Sequence, residues 1–122
     1  MKQNLKAIHI IADFFKVKNL PTIKAIETEM VHAANLSKSK ILNTSFHHFE
    51  NTDGVTGVIL LSESHISIHT WPEISFVSID AFMCGNTEPM MAIEYLKEVF
   101  VPESTEIKVL ERGKLPNDTL KG

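Results

Sequence analysis

Several residue types and patterns are scarce in this chain of 122 residues, and each scarcity excludes a class of protein. Cys84 is the single cysteine, so no intrachain disulfide can form, and a lone thiol fits a reducing compartment. No apolar run approaches the ~20 residues that a membrane span needs. The 12 basic and 15 acidic residues leave a net charge of -3 without a basic cluster, so the footprint of a nucleic-acid-binding protein is missing. We predict a cytoplasmic protein with no membrane or nucleic-acid partner.

The length and the hydrophobic content predict one domain over residues 1–122. Hydrophobic residues make up 43% of the chain, enough for a core, although so small a domain leaves much of its surface exposed. The N-terminus, MKQNLKAIHIIADFF, carries a short apolar patch that His9 and Asp13 interrupt. No small-residue cleavage site follows it, so we interpret it as a strand and not as a signal peptide.

Strand-like and helix-like segments alternate along the chain. We predict strands at 5–15, 40–49, 55–61, 65–71, 75–84 and 104–113. Amphipathic segments at 19–37 and 87–100 predict helices, with Asn19 or Thr22 and then Thr87 as N-caps. This order predicts an α+β fold, a two-layer α/β sandwich with a mainly antiparallel sheet and both helices on one face. Several strands lack the polar alternation of a solvated face, so we expect a second subunit to cover the other face.

The stretch LLSESHISIHTWPE, residues 60–73, carries much polar chemistry for a strand. Strand side chains alternate between faces, which predicts an apolar face and a polar face. The apolar face holds Ile66, Ile68 and Thr70, and the polar face holds His65, Ser67, His69 and Trp71. On the next strand the same rule aligns Phe76, Ser78, Asp80, Phe82 and Cys84.

Spacing and motif searches leave the chemistry undecided. His65 and His69 lie about 13 Å apart on a strand at ~3.3 Å per residue, too far to share a metal ion directly, so no metal site is predicted. The nucleophile-elbow pattern G-x-S-x-G is missing. A Ser/His or Cys/His hydrolase nevertheless stays open, because the chain has serines, histidines and carboxylates to spare.

Longer motifs are more specific. SESHISIHTWPE resembles the processing-site signature of the prokaryotic S-adenosylmethionine decarboxylases, small pyruvoyl-dependent enzymes of polyamine synthesis. IETEMVHAA, TSFHHF, GVTGVILLSESHISIHTWPE, DAFMCG and ERG are similar to the family in order and spacing over residues 7–113. The resemblance implies a proenzyme that cuts itself between Glu63 and Ser64 into a β chain, 1–63, and an α chain, 64–122. Ser64 would attack the preceding carbonyl, and β-elimination would turn it into the pyruvoyl cofactor.

The resemblance also implies a role for each matching residue. His69 matches the processing base, and Thr56 stands where the family usually has a processing serine hydroxyl. Cys84 matches the proton donor that acts after CO2 leaves a Schiff base between the pyruvoyl group and the substrate. The expected substrate-binding residues are the adenine-site aromatics Phe49 and Trp71 and the ribose-binding carboxylate Glu73.

The implied function is decarboxylation of S-adenosylmethionine to the aminopropyl donor of spermidine biosynthesis. The implied assembly is a homodimer of processed protomers with its sites at the interface. Two alternatives stay open. A pyruvoyl enzyme on the same scaffold could decarboxylate ornithine or arginine, and an unprocessed homologue could bind a partner enzyme without catalysing a reaction.

Overall fold

The computed structural model describes residues 6–114, which form a six-stranded sheet with two helices on one side. The strands are β1 (Ala7–Phe15), β2 (Ile41–Phe49), β3 (Gly54–Leu61), β4 (Ser64–Trp71), β5 (Phe76–Cys84) and β6 (Ser104–Arg112). The helices are α1 (Ile23–Leu36) and α2 (Pro89–Phe100), and a short 3₁₀ turn, Pro72–Ile74, precedes β5. The strand order is β2-β3-β4-β5-β1-β6, with every neighbouring pair antiparallel. The predicted α+β sandwich is confirmed.

Every predicted strand and helix is present, with small shifts at the ends. β1 begins at Ala7, and residue 5 of the predicted strand lies outside the described part. Thr22 caps α1 as predicted, because its Oγ1 accepts a hydrogen bond from the Ala25 amide at 3.3 Å. The Thr87 cap is wrong. Its hydroxyl instead donates to the Cys84 carbonyl at 3.2 Å, which closes the turn after β5, and Pro89 at the first helical position starts α2.

Alternation along the strands sends one set of side chains into a core between the sheet and the helices. α1 lies over β2 and β3, and α2 lies over β1 and β5. The largest fully buried side chains are Ile10, Phe14, Ile26, Met30, Ile59, Ile66, Ile68, Ile79, Met83, Ile93, Leu96 and Phe100. We call the opposite side of the sheet the open face, because neither helix covers it. Neither helix has the length and apolarity for a bilayer crossing within residues 6–114.

The strand registers align open-face side chains into rows that cross the sheet. One row, near the Ser64 end of β4, contains Leu60, His65, Phe82, His9 and Leu110. A second row, near the Trp71 end, contains Thr56, His69, Ser78, Asp13 and Glu106. The chemistry-bearing side chains therefore fall at two different places along the strands.

Candidate active site

The bond predicted to be cut lies in the tight turn between β3 and β4. Leu61 and Ser64 pair across the two strands, and Ser62 and Glu63 form the turn between them. Glu63 has a φ of 60°, in the left-handed region that costs a residue with a side chain ~1–2 kcal/mol. The peptide bond before Ser64 is therefore held by a strained residue at the beginning of a strand.

Cys84, the last residue of β5, contacts both sides of this bond. Its thiol donates a hydrogen bond to the Glu63 carbonyl oxygen at 3.3 Å, and a Glu63 carboxylate oxygen lies 3.7 Å from the sulfur. The Ser64 hydroxyl oxygen is 4.0 Å from the same sulfur. A donor at a carbonyl oxygen stabilises the negative charge that develops there when a nucleophile attacks the carbon. These three residues form what we call the cleavage cluster.

A second group, which we call the histidine cluster, lies toward the other end of the open face. Thr56 and His69 face each other across β3 and β4, and a hydrogen bond joins Thr56 Oγ1 to His69 Nδ1 at 3.1 Å. The Trp71 ring follows on the same strand face, 6.0 Å from the His69 ring between centroids. Phe49 is exposed at the end of β2, and Glu73 is exposed in the 3₁₀ turn.

The two clusters are separated within one protomer. Ser64 and His69 lie five residues apart on the same strand, which is about 16 Å at ~3.3 Å per residue. The structure therefore unites Glu63, Ser64 and Cys84, and separately unites Thr56 and His69. It does not bring the predicted base to the Ser64 α-hydrogen of its own chain.

The cleavage cluster fits a cofactor made from the chain itself. Ser64 and Cys84 are half-buried, the preceding carbonyl has a hydrogen-bond donor, and the turn is strained. A cavity of about 370 Å³ is lined in part by Met83 and Gly85, the chain neighbours of Cys84, but no predicted site residue lines it. Among residues 6–114, no group of three or more His, Cys, Asp or Glu side chains could hold a metal ion.

Sequence reasoning missed a group of side chains around Phe82, which lies two residues before Cys84 on β5. His65, His9 and Arg112 all contact the Phe82 ring. Alternation had aligned Phe82 with Cys84, which was the available signal. Two of these partners, His9 and Arg112, come from β1 and β6 at opposite ends of the chain, so only the sheet order reveals them.

The chain as a whole is similar to known proteins. The family model described as S-adenosylmethionine decarboxylase matches residues 8–113. A protein of a Sulfurihydrogenibium species, named S-adenosylmethionine decarboxylase proenzyme, is 44% identical over 115 residues, which cover 89% of this chain and 84% of that protein. A Bacillus cereus protein, named S-adenosylmethionine decarboxylase proenzyme 2, is 45% identical over 108 residues, with 86% and 87% covered.

A solved structure is also similar. The crystal structure of the adenosylmethionine decarboxylase from Aquifex aeolicus superposes with a TM-score of 0.83 at 28% identity, covering 93% of this chain and 95% of that one. Its similarity extends over both helices and the sheet, because nearly the whole of each chain is aligned. The chain therefore belongs to the S-adenosylmethionine decarboxylase family.

Proposed function

We propose that this protein is a self-processing, pyruvoyl-dependent decarboxylase that converts S-adenosylmethionine to decarboxylated S-adenosylmethionine and CO2. The observation that carries the proposal is the Cys84 thiol, 3.3 Å from the Glu63 carbonyl oxygen and 4.0 Å from the Ser64 hydroxyl. The products would be chains 1–63 and 64–122 of a single domain. The names of the relatives, which include the word proenzyme, support the same reading. The proposal includes a cytoplasmic location, which the lone thiol supports, and spermidine biosynthesis as the use of the product.

Cutting begins when Ser64 Oγ bonds to the Glu63 carbonyl carbon and the peptide C–N bond breaks, which leaves an ester. The Cys84 thiol stabilises the charge on the carbonyl oxygen during this step. A base then removes the Ser64 α-hydrogen, and the ester leaves as the new C-terminal carboxylate of Glu63. The remaining unsaturated residue takes up water and releases ammonia, which completes the pyruvoyl group.

The second reaction uses the same thiol. Once formed at residue 64, a pyruvoyl group would supply an electrophilic carbonyl able to hold the substrate's α-amine and to take up the electron pair released with CO2. Cys84 lies within 4.0 Å of the residue 64 side chain and can return a proton to the substrate carbon. The flat faces of Phe49 and Trp71 suit an adenine ring and a sulfonium cation, and Glu73 can accept hydrogen bonds from ribose hydroxyls.

The proposed working site is shared between two copies of the chain in a homodimer. The separation of about 16 Å between Ser64 and His69, at ~3.3 Å per residue, requires another source for the base. The open face exposes apolar side chains, including Leu60 at 47%, Phe49 at 46% and Trp71 at 38%. A two-fold axis that lies in this face and runs across the strands exchanges the two strand ends, so a dimer of this kind would bring the partner subunit's His69 to the cleavage cluster.

Intact mass under denaturing conditions tests the cutting. We expect two fragments split between Glu63 and Ser64, with a pyruvoyl end on the C-terminal fragment, and a single chain from Ser64→Ala. The cut protein should release CO2 from carboxyl-labelled S-adenosylmethionine. Release of CO2 from ornithine or arginine alone would overturn the assignment of S-adenosylmethionine as the substrate. A single uncut 13.7 kDa wild-type chain would favour a non-catalytic homologue.

Co-expression of two inactive variants tests the shared site. Ser64→Ala lacks the nucleophile and His69→Ala lacks the base, so each should stay uncut alone. Mixed dimers would contain one complete site, made from Ser64 of the His69→Ala chain and His69 of the Ser64→Ala chain. We therefore expect about half of the His69→Ala chains to be cut on random mixing. A complete absence of cutting in demonstrated mixed dimers would contradict a site shared in this way.

A further inference from the structure

The Phe82 ring is a meeting point for side chains from three other strands. The His65 ring of β4 stacks on it, with centroids 5.9 Å apart and an angle of 6° between the planes. The His9 ring of β1 meets it edge-on at 5.4 Å, and the Arg112 guanidinium of β6 lies 5.5 Å from its centroid. Aromatic and cation–π geometries of this kind are favourable, so the ring is restrained from several directions.

A chain of hydrogen bonds orders two of these contacts. Arg112 Nη1 donates to His9 Nδ1 at 2.8 Å, and Arg112 has no acceptor atoms, so Nδ1 must accept. His9 Nε2 therefore carries the ring hydrogen and donates to the Asp80 carboxylate. One neutral tautomer of His9 satisfies both partners, which fixes the ring in a single orientation against Phe82.

This arrangement is connected directly to the cleavage cluster. His65 follows Ser64 in the chain, and Phe82 precedes Cys84 by two residues on the same strand face. After the cut, residue 64 becomes the first residue of a chain and keeps covalent attachment only through His65. Chain ends fray unless side-chain or backbone contacts hold them, so the contacts of His65 gain importance at that moment.

We propose that the stack of His65 on Phe82, braced by Arg112, His9 and Asp80, is a positioning device that holds residue 64 beside Cys84 after the chain is cut. His65 and Phe82 are positioning residues, because they act through residue 64 and Cys84. The inference rests on the proposed self-cleavage. The uncut chain has less need of the device, because Glu63 then holds residue 64 from the other side.

The test compares His65→Ala with His65→Phe, which keeps a flat ring for stacking. His32→Ala is the matched control, since His32 stacks on Tyr95 at 5.3 Å in the helical layer, away from the site. Hydrogen exchange of the amides at the start of the 64–122 fragment is measured by mass spectrometry, in the cut protein and in the uncut Ser64→Ala background.

We expect His65→Ala to speed exchange at these amides about tenfold in the cut protein, and much less in the uncut background. His65→Phe should restore slow exchange, and His32→Ala should leave it unchanged. Decarboxylation should follow the same order, with kcat lowered more than KM is raised. Should His65→Ala fail to fold, Phe82→Leu removes the same stack from the other side.

The outcomes separate this proposal from the proposed function. A cut wild-type protein whose exchange does not respond to His65→Ala, or is not restored by His65→Phe, overturns the positioning device alone. Equal acceleration in cut and uncut proteins also overturns it, because the stack would then be a general stabilising contact. An uncut wild-type chain overturns self-cleavage and the positioning device together.

Discussion

At the scale of single residues, Glu63 combines an unfavourable backbone conformation with a position at the predicted cut. Lys16, Lys38, Asp53, Ser75 and Val101 also have positive φ values, so the conformation itself is not unique to this turn in the described chain. Glu63 differs because its carbonyl accepts the Cys84 hydrogen bond. Strain that is released as a peptide bond breaks lowers the barrier to breaking it.

Glu63→Gly should therefore slow self-cleavage while stabilising the uncut chain. Glycine adopts positive φ without steric cost, so about 1 kcal/mol of strain disappears from the starting state and cutting slows about fivefold. In the uncut Ser64→Ala background, adding Glu63→Gly should raise the melting temperature, because the same strain is removed from the folded state. Lys16→Gly, at a φ of 52° outside the site, should stabilise the protein without changing the rate. A Glu63→Gly protein that cuts itself at the wild-type rate would contradict the role of strain.

Tyr95 gives a residue-scale prediction in the helical layer. The hydrogen bond it donates to Glu29 raises the pKa of Tyr95 above 10.0, and desolvation and the charges of Glu29 and Glu98 add to the effect. The folded state thus favours the neutral phenol. Its contribution to stability is present below pH 10.0 and is lost as the pH rises through the raised pKa.

Because Tyr95 is the single tyrosine, tyrosinate absorbance reports its titration directly. Glu29→Gln should lower the pKa of Tyr95 toward its ordinary value, and Glu94→Gln, which removes a neighbouring charge without touching the hydrogen bond, should change it far less. Equal midpoints in the wild type and Glu29→Gln would show that the hydrogen bond is not the cause.

Among the secondary-structure elements, the β2–β3 pair places Phe49 on the open face. Phe46 and Gly57 are partners across these strands, and a Cβ atom at residue 57 would lie 2.1 Å from the Phe46 ring. The ring therefore lies directly over the glycine. This contact helps to hold the register of β2 on β3, and a one-residue slip of β2 would turn Phe49 away from the open face.

Gly57→Ala should destabilise the protein by ~1–3 kcal/mol, because the half-buried Phe46 ring must move. Urea unfolding of Gly57→Ala, Phe46→Ala and the double variant gives the coupling free energy between residues 46 and 57. The double variant should lose less stability than the two single losses added together, because the clash requires both groups. Additive losses would mean that the alanine disturbs something other than Phe46.

At the scale of the whole molecule, the open face decides whether the two clusters can work together. Its apolar side chains are exposed in the protomer, and Ser64 and His69 lie toward opposite ends of β4. Both facts are explained if a second copy covers the face. The helical layer offers no comparable reason for pairing at the site, because the clusters lie on the other side of the sheet.

Leu60→Lys should therefore weaken the proposed dimer and also stop cutting. Leu60 is 47% exposed on the open face, so a lysine there stays solvated in the isolated protomer. Its charge would lose water only when the proposed dimer forms. Val109→Lys is the control, because Val109 is 53% exposed and pairs with buried Ile10, whose side chain points to the helical layer. Sedimentation measures the assembly. A Leu60→Lys monomer that cuts at the wild-type rate would contradict the shared site.

The secondary-structure elements, the faces of the strands and the family could all be predicted from the sequence. Local alternation correctly buried Ile66, Ile68 and Thr70, because strand geometry depends on neighbouring residues alone. The spacing rule that kept His65 and His69 from sharing a metal also separates Ser64 from His69, so this distance was predictable. The contacts of Cys84 with Glu63 and of Phe82 with His9 and Arg112 could not be predicted from the sequence and are seen in the folded chain. Those pairs are distant in sequence, and they meet because the sheet order places β5 between β4 and β1, with β6 next to β1.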